Sequence, residues 1–213
     1  MNNYRVNDCL VLTGNHDDIC QLLIQTIDSK QSFQPIITLN ISMFSSYEHR
    51  PDLLKWLIDH AMFTADGISI SILIAKQYVR WVKRYPGIDM VHDLLMKSSG
   101  YRVAMIGASS QHLNQACDFF KLNYGHHTLV FSMDGFSEIL DSDIKKIQAV
   151  DPDIVLVAMG CPIQDELLRR LAGILPSGIG IGVGGVFDVW AGRSKRAPFL
   201  FRLLGLEWLV RLI

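Results

Sequence analysis

A chain of 213 residues, 49% of them hydrophobic, can bury one large core, so we expect one compact domain. The formal net charge of -1 provides no global attraction to nucleic acid, and a basic site must therefore be local. Four scattered cysteines, with no signal-peptide pattern and no apolar run as long as a membrane span, lead us to expect a cytoplasmic protein with reduced thiols.

Short β-rich runs alternate along the chain with longer segments of helical periodicity. The predicted strands are CLVLTG, PIITLN, YRVAMIG, HTLVFS, DIVLVAMG and GIGIGVGG. The predicted helices are HDDICQLLIQTID, SMFSSYEHRPDLLKWLIDHA, ISILIAKQYVRWVKR, SSQHLNQACDFFKLNY, SEILDSDIKKIQAV and PIQDELLRRLAGIL. This alternation predicts an α/β fold, with a doubly wound, mostly parallel, Rossmann-like sheet that carries helices on both faces. We expect this single domain to span residues 1–197, and a basic amphipathic helix to follow at 198–213.

Polar residues and glycines follow the predicted strands, at the edge of the sheet where such folds bind ligands. Glycines that precede a helix favour an anion such as a phosphate, although close packing of strand against helix is an equally good explanation for them. The glycine-rich strand lacks the dinucleotide-binding spacing, and the chain has no Walker pattern. The candidates for substrate binding at this edge are Thr38, Asn40, Gly67, Gly107, Gly160, Gln164, Gly184, Gly185 and Asp188.

Four segments add a more specific signal. They are TADGISI (64–70), RYPGIDM (84–90), DIVLVAMGCPIQDE (153–166) and GVGGVFDVWAGRSKRAPFLFRLLGLEWLVRL (182–212). With these segments, in this order, the chain resembles the WecG/TagA/CpsF glycosyltransferases, glycosyltransferase family 26, from about Ile36 to its end.

The resemblance implies an inverting enzyme that acts on a UDP-sugar donor. The sugar would be N-acetylmannosamine, its uronic acid or a hexose, and the acceptor a polyprenyl-diphosphate-linked saccharide at the cytoplasmic face of the membrane. Such reactions build cell-wall teichoic acid or exopolysaccharide. Two positions depart from the family pattern: Ile88 stands where threonine is usual, and Asp165 follows Gln164 where glutamate is usual. Both bear on substrate contacts rather than on the fold.

The resemblance assigns the general base to Asp66 and a substrate contact to Asp89. An inverting displacement needs a base for the acceptor hydroxyl and no enzymic nucleophile, so one carboxylate suffices. The alternative role for Asp66 is the N-cap of a helix that begins near Gly67. Asp188 would either order the FDVWAG turn or bind a sugar hydroxyl.

The departing UDP must be neutralised by a metal or by fixed donors. The chain contains DSD at 141–143 and DPD at 151–153, but we expect neither to follow a strand, and DPD is typical of a turn. We therefore expect metal-independent transfer without a cofactor, with Arg84 at the diphosphate. A solvated arginine is the alternative for Arg84, and turn or cap roles are the alternatives for Thr38, Asn40 and Gln164.

The last twenty-one residues are strongly basic and apolar, with Glu207 as their single acid. This composition predicts a surface for anionic lipid and for the acceptor's diphosphate, and thus a peripheral membrane enzyme that does not bind nucleic acid. A homo-oligomer is compatible with these features. Two other classes stay open: a catalytically weak nucleotide-sugar or lipid-binding paralogue, and a dinucleotide-dependent oxidoreductase. The cations concerned are Arg193, Lys195, Arg196, Arg202 and Arg211.

Overall fold

The computed structural model describes residues 1–193, so the helix predicted at 198–213 lies outside the described residues. Within this range the strands are β1 Asn2–Val6, β2 Cys9–Thr13, β3 Gln34–Leu39, β4 Met62–Ala65, β5 Arg102–Gly107, β6 Thr128–Met133, β7 Ile154–Ala158 and β8 Ile179–Gly182. The helices are α1 His16–Asp28, α2 Ile41–Glu48, α3 Pro51–His60, α4 Ile68–Tyr78, α5 Gly87–Lys97, α6 Ser110–Asn123, α7 Asp141–Ala149, α8 Ile163–Ala172 and α9 Val186–Trp190.

The eight strands form one sheet in the order β1-β2-β4-β3-β8-β7-β5-β6. β1 pairs antiparallel with β2, and every other pair of neighbours is parallel. The last strand, β8, lies between β3 and β7 and joins the two halves of the sheet. This arrangement confirms the predicted α/β class and the mostly parallel sheet.

Both faces of the sheet are buried under helices. Alternate residues of β5 belong to different cores: Val103 and Met105 to one, Ala104 and Ile106 to the other. Helices α1, α5, α6 and α9 supply the first core, and α2, α3, α4, α7 and α8 supply the second. A strand covered on both faces must be apolar throughout, which is why all five residues of β7, IVLVA, are buried.

Four features differ from the predicted elements. The segment predicted as one helix before residue 61 forms two, because Pro51 has no backbone N–H and fits only the first turn of α3. Helix α4 ends at Tyr78, since Val79 adopts a left-handed conformation with φ 54. The short strands β1 and β4 were not predicted. Helices α5 and α9 were not predicted either.

No helix among residues 1–193 is both long enough and apolar enough to cross a bilayer.

The ends of β5 and β7 approach each other closely at Gly107. This glycine has φ 130, and a Cβ atom built on it would lie 2.3 Å from the carbonyl oxygen of Ala158. The same carbonyl accepts a hydrogen bond of 3.0 Å from the backbone N–H of Ala108. Only a residue without a side chain fits this conformation and this spacing.

Replacing Gly107 with alanine should therefore destabilise the protein by at least about 3 kcal/mol, because the new methyl group meets backbone that cannot move aside. Gly100 offers a matched control: its φ is 79, but a Cβ there has no atom within 4 Å. Gly100→Ala should cost only about 1 kcal/mol of conformational strain. Urea unfolding of both variants measures the difference, and equal losses would contradict the close-approach explanation.

Candidate active site

Several predicted site residues meet at the carboxyl ends of β3, β4 and β8. The Asp66 carboxylate, just after β4, accepts a hydrogen bond of 3.0 Å through Oδ1 from the backbone N–H of Gly87. Gly87 lies against Thr38, since a Cβ built on it would be 3.2 Å from the Thr38 side chain. Thr38 Oγ1 in turn donates a hydrogen bond of 2.9 Å to the carbonyl of Gly182. These contacts join three strand ends.

Gln164 continues this set of contacts from α8. Its Oε1 accepts a hydrogen bond of 3.2 Å from the backbone N–H of Gly184. Its Nε2 lies close to the backbone of Gly182, 2.6 Å from the position of a built Cβ. Thr38 and Gln164 are both buried, and they hold the β8–α9 turn from two sides. The turn role that the sequence left open for both residues is thus present in the structure.

Asp66 does not cap the helix that follows it. The N-cap of α4 is Gly67, so that alternative for Asp66 is wrong. The carboxylate instead contacts the first residue of α5, while the Asp66 backbone N–H donates a hydrogen bond of 3.0 Å to the Leu39 carbonyl. Asp66 is half-buried. A carboxylate has two acceptor oxygens, so this contact at Oδ1 is compatible with a second role in proton transfer.

Asn40 and Gly67 are neighbours at the same edge. Asn40 is the N-cap of α2, where its Oδ1 accepts hydrogen bonds from the N–H (3.1 Å) and the hydroxyl (2.6 Å) of Ser42. A Cβ built on Gly67 would lie 3.4 Å from the Asn40 Cβ. Asn40 therefore has the cap role that the sequence left open, next to the segment that carries Asp66.

Arg84 and Asp89 flank the helix end that Asp66 contacts. Arg84 precedes the N-cap Pro86, and Asp89 lies in the first turn of α5. The Arg84 carbonyl accepts a hydrogen bond of 2.9 Å from His16 Nε2, and the His16 ring stacks on Tyr85 at a centroid distance of 4.1 Å. Both flanking side chains are half-buried. The carboxylates of Asp66 and Asp89 and the guanidinium of Arg84 thus lie around the start of α5.

The other four candidate glycines divide into two kinds. Gly107 is packed against Ala158 and has the close-packing role described above. Gly160, Gly184 and Gly185 follow β7 and β8, and a Cβ built on any of them has no atom within 4 Å. These three glycines border open space at the carboxyl edge, as the backbone of a binding surface must.

Asp188 lies on α9 between two basic groups. Its Oδ1 is 3.2 Å from His112 Nδ1 on α6 and 3.8 Å from Arg193 Nη1. The Arg193 Nη1 atom is also 3.5 Å from His112 Nδ1. His112 could not be selected from the sequence, because no motif links it to α9. The other cations predicted to bind lipid or diphosphate, namely Lys195, Arg196, Arg202 and Arg211, lie outside the described residues.

The two DxD sequences lie at the start of a helix and just before a strand, where their aspartates make structural contacts. As expected, DSD does not directly follow a strand: residues 134–140 separate β6 from α7, which begins with DSD. There Asp141 pairs with Arg170 at 2.9 Å and Asp143 with Lys146 at 2.8 Å. Asp153 of DPD precedes β7 and accepts a hydrogen bond of 2.8 Å from the Arg102 N–H. Residues 1–193 contain no group of three or more His, Cys, Asp or Glu side chains suited to a metal.

The sequence linked Asp165 to substrate contacts, but in the structure this residue is a buried carboxyl group beside Gln164. Asp165 is completely buried, and its Oδ2 accepts a hydrogen bond of 2.9 Å from the Tyr47 hydroxyl. Burial raises the pKa of Asp165 to about 6, while Cys161 and Tyr47 limit the rise. Burial and the adjacent Asp165 also raise the pKa of the Cys161 thiol. Asp165 is thus part of the support behind the β8–α9 turn.

One comparison with known proteins bears on this site. The model of the glycosyl transferase WecG/TagA/CpsF family matches residues 5–213. The match covers essentially the whole chain and includes every predicted site residue. It confirms the resemblance that the four sequence segments indicated.

The raised pKa of Asp165 makes protein stability depend on pH. The folded protein holds a proton on Asp165 up to a pKa of about 6, whereas the unfolded chain releases it near the ordinary pKa of 3.8. The contribution to stability is therefore fully present below the unfolded pKa and is lost as pH rises through about 6. Asp165→Asn removes this titration and keeps an acceptor for the Tyr47 hydroxyl. Its stability relative to the wild type should rise by about 3 kcal/mol from roughly pH 4 to pH 8.

Urea unfolding across this pH range measures the change for Asp165→Asn. The exposed Asp118 on α6 provides the control, because Asp118→Asn should leave the pH dependence as it is in the wild type. A stability difference for Asp165→Asn that stays constant with pH would show that folding does not raise the pKa of Asp165.

Proposed function

Since the chain belongs to the WecG/TagA/CpsF family of glycosyl transferases, we propose that it transfers a sugar, with inversion, from a UDP-sugar to a polyprenyl-diphosphate-linked saccharide. The sugar is N-acetylmannosamine, its uronic acid or a hexose, and the product serves cell-surface polysaccharide or teichoic acid synthesis. The observation that carries the proposal is the Asp66 carboxylate, held by Gly87 at the carboxyl edge of the sheet.

Asp66 acts as the general base in this proposal. The acceptor hydroxyl oxygen forms a bond to the anomeric carbon, the bond between that carbon and the UDP oxygen breaks on the opposite face, and the hydroxyl proton passes to Asp66. The hydrogen bond from Gly87 N–H to Oδ1 orients the carboxylate for this transfer.

The departing UDP is stabilised by fixed positive groups in this scheme. Arg84, beside the start of α5, is the side chain proposed for the diphosphate. The open backbone at Gly160, Gly184 and Gly185 offers room for the nucleotide or the sugar to approach. Buried Thr38 and Gln164 act by fixing the β8–α9 turn that presents this backbone. No metal or cofactor enters the proposed reaction.

The remaining predicted residues are proposed to serve the two substrates. Asn40, Gly67 and Asp89 lie beside Asp66 or at the start of α5, which suits contacts with the donor sugar. Asp188, oriented by His112, suits a sugar hydroxyl. The cations from Arg193 to Arg211 would bind the acceptor's diphosphate and anionic lipid, which places the enzyme at the cytoplasmic membrane face.

Asp66→Asn tests the base. Asparagine keeps an oxygen that can accept the Gly87 N–H, so the local fold and UDP-sugar affinity should stay within a fewfold of the wild type. Transfer should fall roughly 100-fold or more, because the amide cannot take the proton. Calorimetry with UDP-sugars and a radiolabelled transfer assay measure the two quantities.

Asp66→Ala, which also loses the contact with Gly87, should in addition lose stability. Equal losses of binding and rate in Asp66→Asn would assign Asp66 a structural role instead.

Metal independence is tested by chelation. If Arg84 and backbone donors neutralise the diphosphate, transfer measured with excess EDTA should match transfer with added Mg²⁺. Arg84→Gln should slow transfer in both conditions and to the same extent. A strict requirement for Mg²⁺ or Mn²⁺ would overturn the role proposed for Arg84.

A further inference from the structure

The segment between Asp66 and Asp89 is free of acidic residues. Residues 67–88 contain Lys76, Arg80, Lys83 and Arg84 and neither aspartate nor glutamate, in a chain whose formal net charge is -1. The segment comprises α4, the connection after it and the start of α5. It is therefore a local concentration of positive charge next to the proposed base.

Large apolar side chains are exposed among these cations. Ile72 is 51% exposed on α4, and Val79 and Trp81 just after it are 90% and 66% exposed. Ile72, Lys76 and Val79 follow the spacing of one helical face. The exposed set Ile72, Lys76, Val79, Arg80, Trp81 and Lys83 is called the α4 patch below.

Folding does not account for Val79. Its backbone is left-handed, with φ 54, a conformation that disfavours β-branched residues, and glycine is the usual residue at such a helix end. Its side chain is 90% exposed and so contributes little to the core. An apolar residue that is costly for the backbone and unburied in the structure is better explained by an external contact.

Hydrogen bonds on both sides of the patch join its segment to the sheet. The Tyr78 hydroxyl donates a hydrogen bond of 3.1 Å to the Arg5 carbonyl and accepts one of 3.2 Å from the Arg5 N–H, which fixes the end of α4 to the terminal strand β1. Beyond the patch, the Tyr85 N–H donates a hydrogen bond of 2.6 Å to the Ala65 carbonyl. Gly87 then contacts Asp66. Both ends of the acid-free segment thus return to the proposed base.

We propose that the α4 patch is a docking surface for anionic lipid headgroups, with Trp81 and Val79 at the interface and Lys76, Arg80 and Lys83 near the phosphates. Cations mixed with an exposed tryptophan and aliphatic side chains are the composition of such surfaces. The inference rests on the proposed function, because a lipid-linked acceptor is presented at a membrane.

A second copy of the chain fits the patch less well. A two-fold axis through the patch would place it against its own copy, and the three cations of each copy would face like charges. The acid Asp17 lies near Lys83, but its carboxylate is already paired with Lys97. It therefore does not neutralise the patch cations of a second copy. An anionic surface neutralises all three cations at once.

The charges are tested with a triple variant, Lys76→Gln, Arg80→Gln and Lys83→Gln, in the full chain. Each cation near an anionic surface strengthens binding about fivefold, so partitioning onto phosphatidylglycerol-containing vesicles should weaken about 100-fold. Partitioning onto neutral phosphatidylcholine vesicles should be weak for the variant and the wild type alike. Lys121→Gln with Lys145→Gln, at exposed positions of α6 and α7, is the matched control and should weaken binding much less.

The apolar contact is tested with Val79→Gly and Trp81→Ser. Val79→Gly should weaken vesicle binding while the melting temperature stays the same or rises, since glycine favours the left-handed conformation. Leu122→Ala, at a side chain that is 85% exposed on α6, should leave vesicle binding unchanged. A fall in melting temperature for Trp81→Ser would show that another part of the chain covers the patch, and would overturn the inference.

Three further results would also overturn the inference. The first is equal vesicle binding by the triple variant and the wild type, and the second is a change of oligomeric state in the triple variant by analytical ultracentrifugation. The third is tighter binding of the wild type to single-stranded RNA than to anionic vesicles.

Transfer to a short, water-soluble acceptor analogue separates this inference from the proposed function. The triple variant should keep that activity. Absence of transfer in the wild type would instead contradict the proposed function, whatever the vesicle result.

Discussion

The hydrogen bond between the Asp66 carboxylate and the Gly87 N–H connects the end of β4 to the start of α5. Between these residues the chain forms all of α4 and then returns to the same edge of the sheet. Gly87 can occupy this place because it has no Cβ, which would lie 3.2 Å from the Thr38 side chain. Thr38 is then close enough to β8 to donate to the Gly182 carbonyl. These contacts thereby link the ends of three neighbouring strands, which the backbone ladders hold side by side.

Support for the carboxyl end of β8, at the centre of the sheet, lowers the stability of the folded protein near neutral pH. Gln164 must reach the β8–α9 turn from α8, so the first turn of α8 packs tightly and buries the adjacent Asp165. A buried carboxyl group favours its protonated form, and the Tyr47 hydroxyl offsets only part of that penalty. The support of the open glycine backbone is therefore achieved at some expense in stability near neutral pH.

The elements that the sequence predicted best are those with a local cause. β7 was predicted because every residue of IVLVA is apolar, as burial on both faces requires. β4 was missed because four residues, MFTA, directly follow a helix and are too few to show a strand pattern. The start of α5 was missed because the stretch before Gly87 is basic and contains proline, and so did not indicate a helix.

The site was predictable only as far as it follows strand ends. Gly160 and Gly184 lie two residues after β7 and β8, which were predicted as strands, and the rule for parallel sheets was enough to select them. Asp66 follows β4, which was not predicted as a strand, and its role came from the family resemblance. The partner of Asp66 could not be selected, because Gly87 reaches it only after α4 has been formed. The same holds for the contacts of Tyr47 with Asp165 and of His112 with Asp188, which join distant parts of the chain.

Net charge is a poor guide to how such a protein meets a charged partner. Exposed charges act over about 8 Å at physiological ionic strength, so acids elsewhere on the surface do not cancel the cations of the α4 patch. What matters is which charges a rigid element presents together. Tyr78 fixes the end of α4 to β1, and Gly87 fixes the far end of the acid-free segment to Asp66. If this segment rests on lipid headgroups, the proposed base is held at a constant height above the membrane, which is where a lipid-linked acceptor presents its hydroxyl.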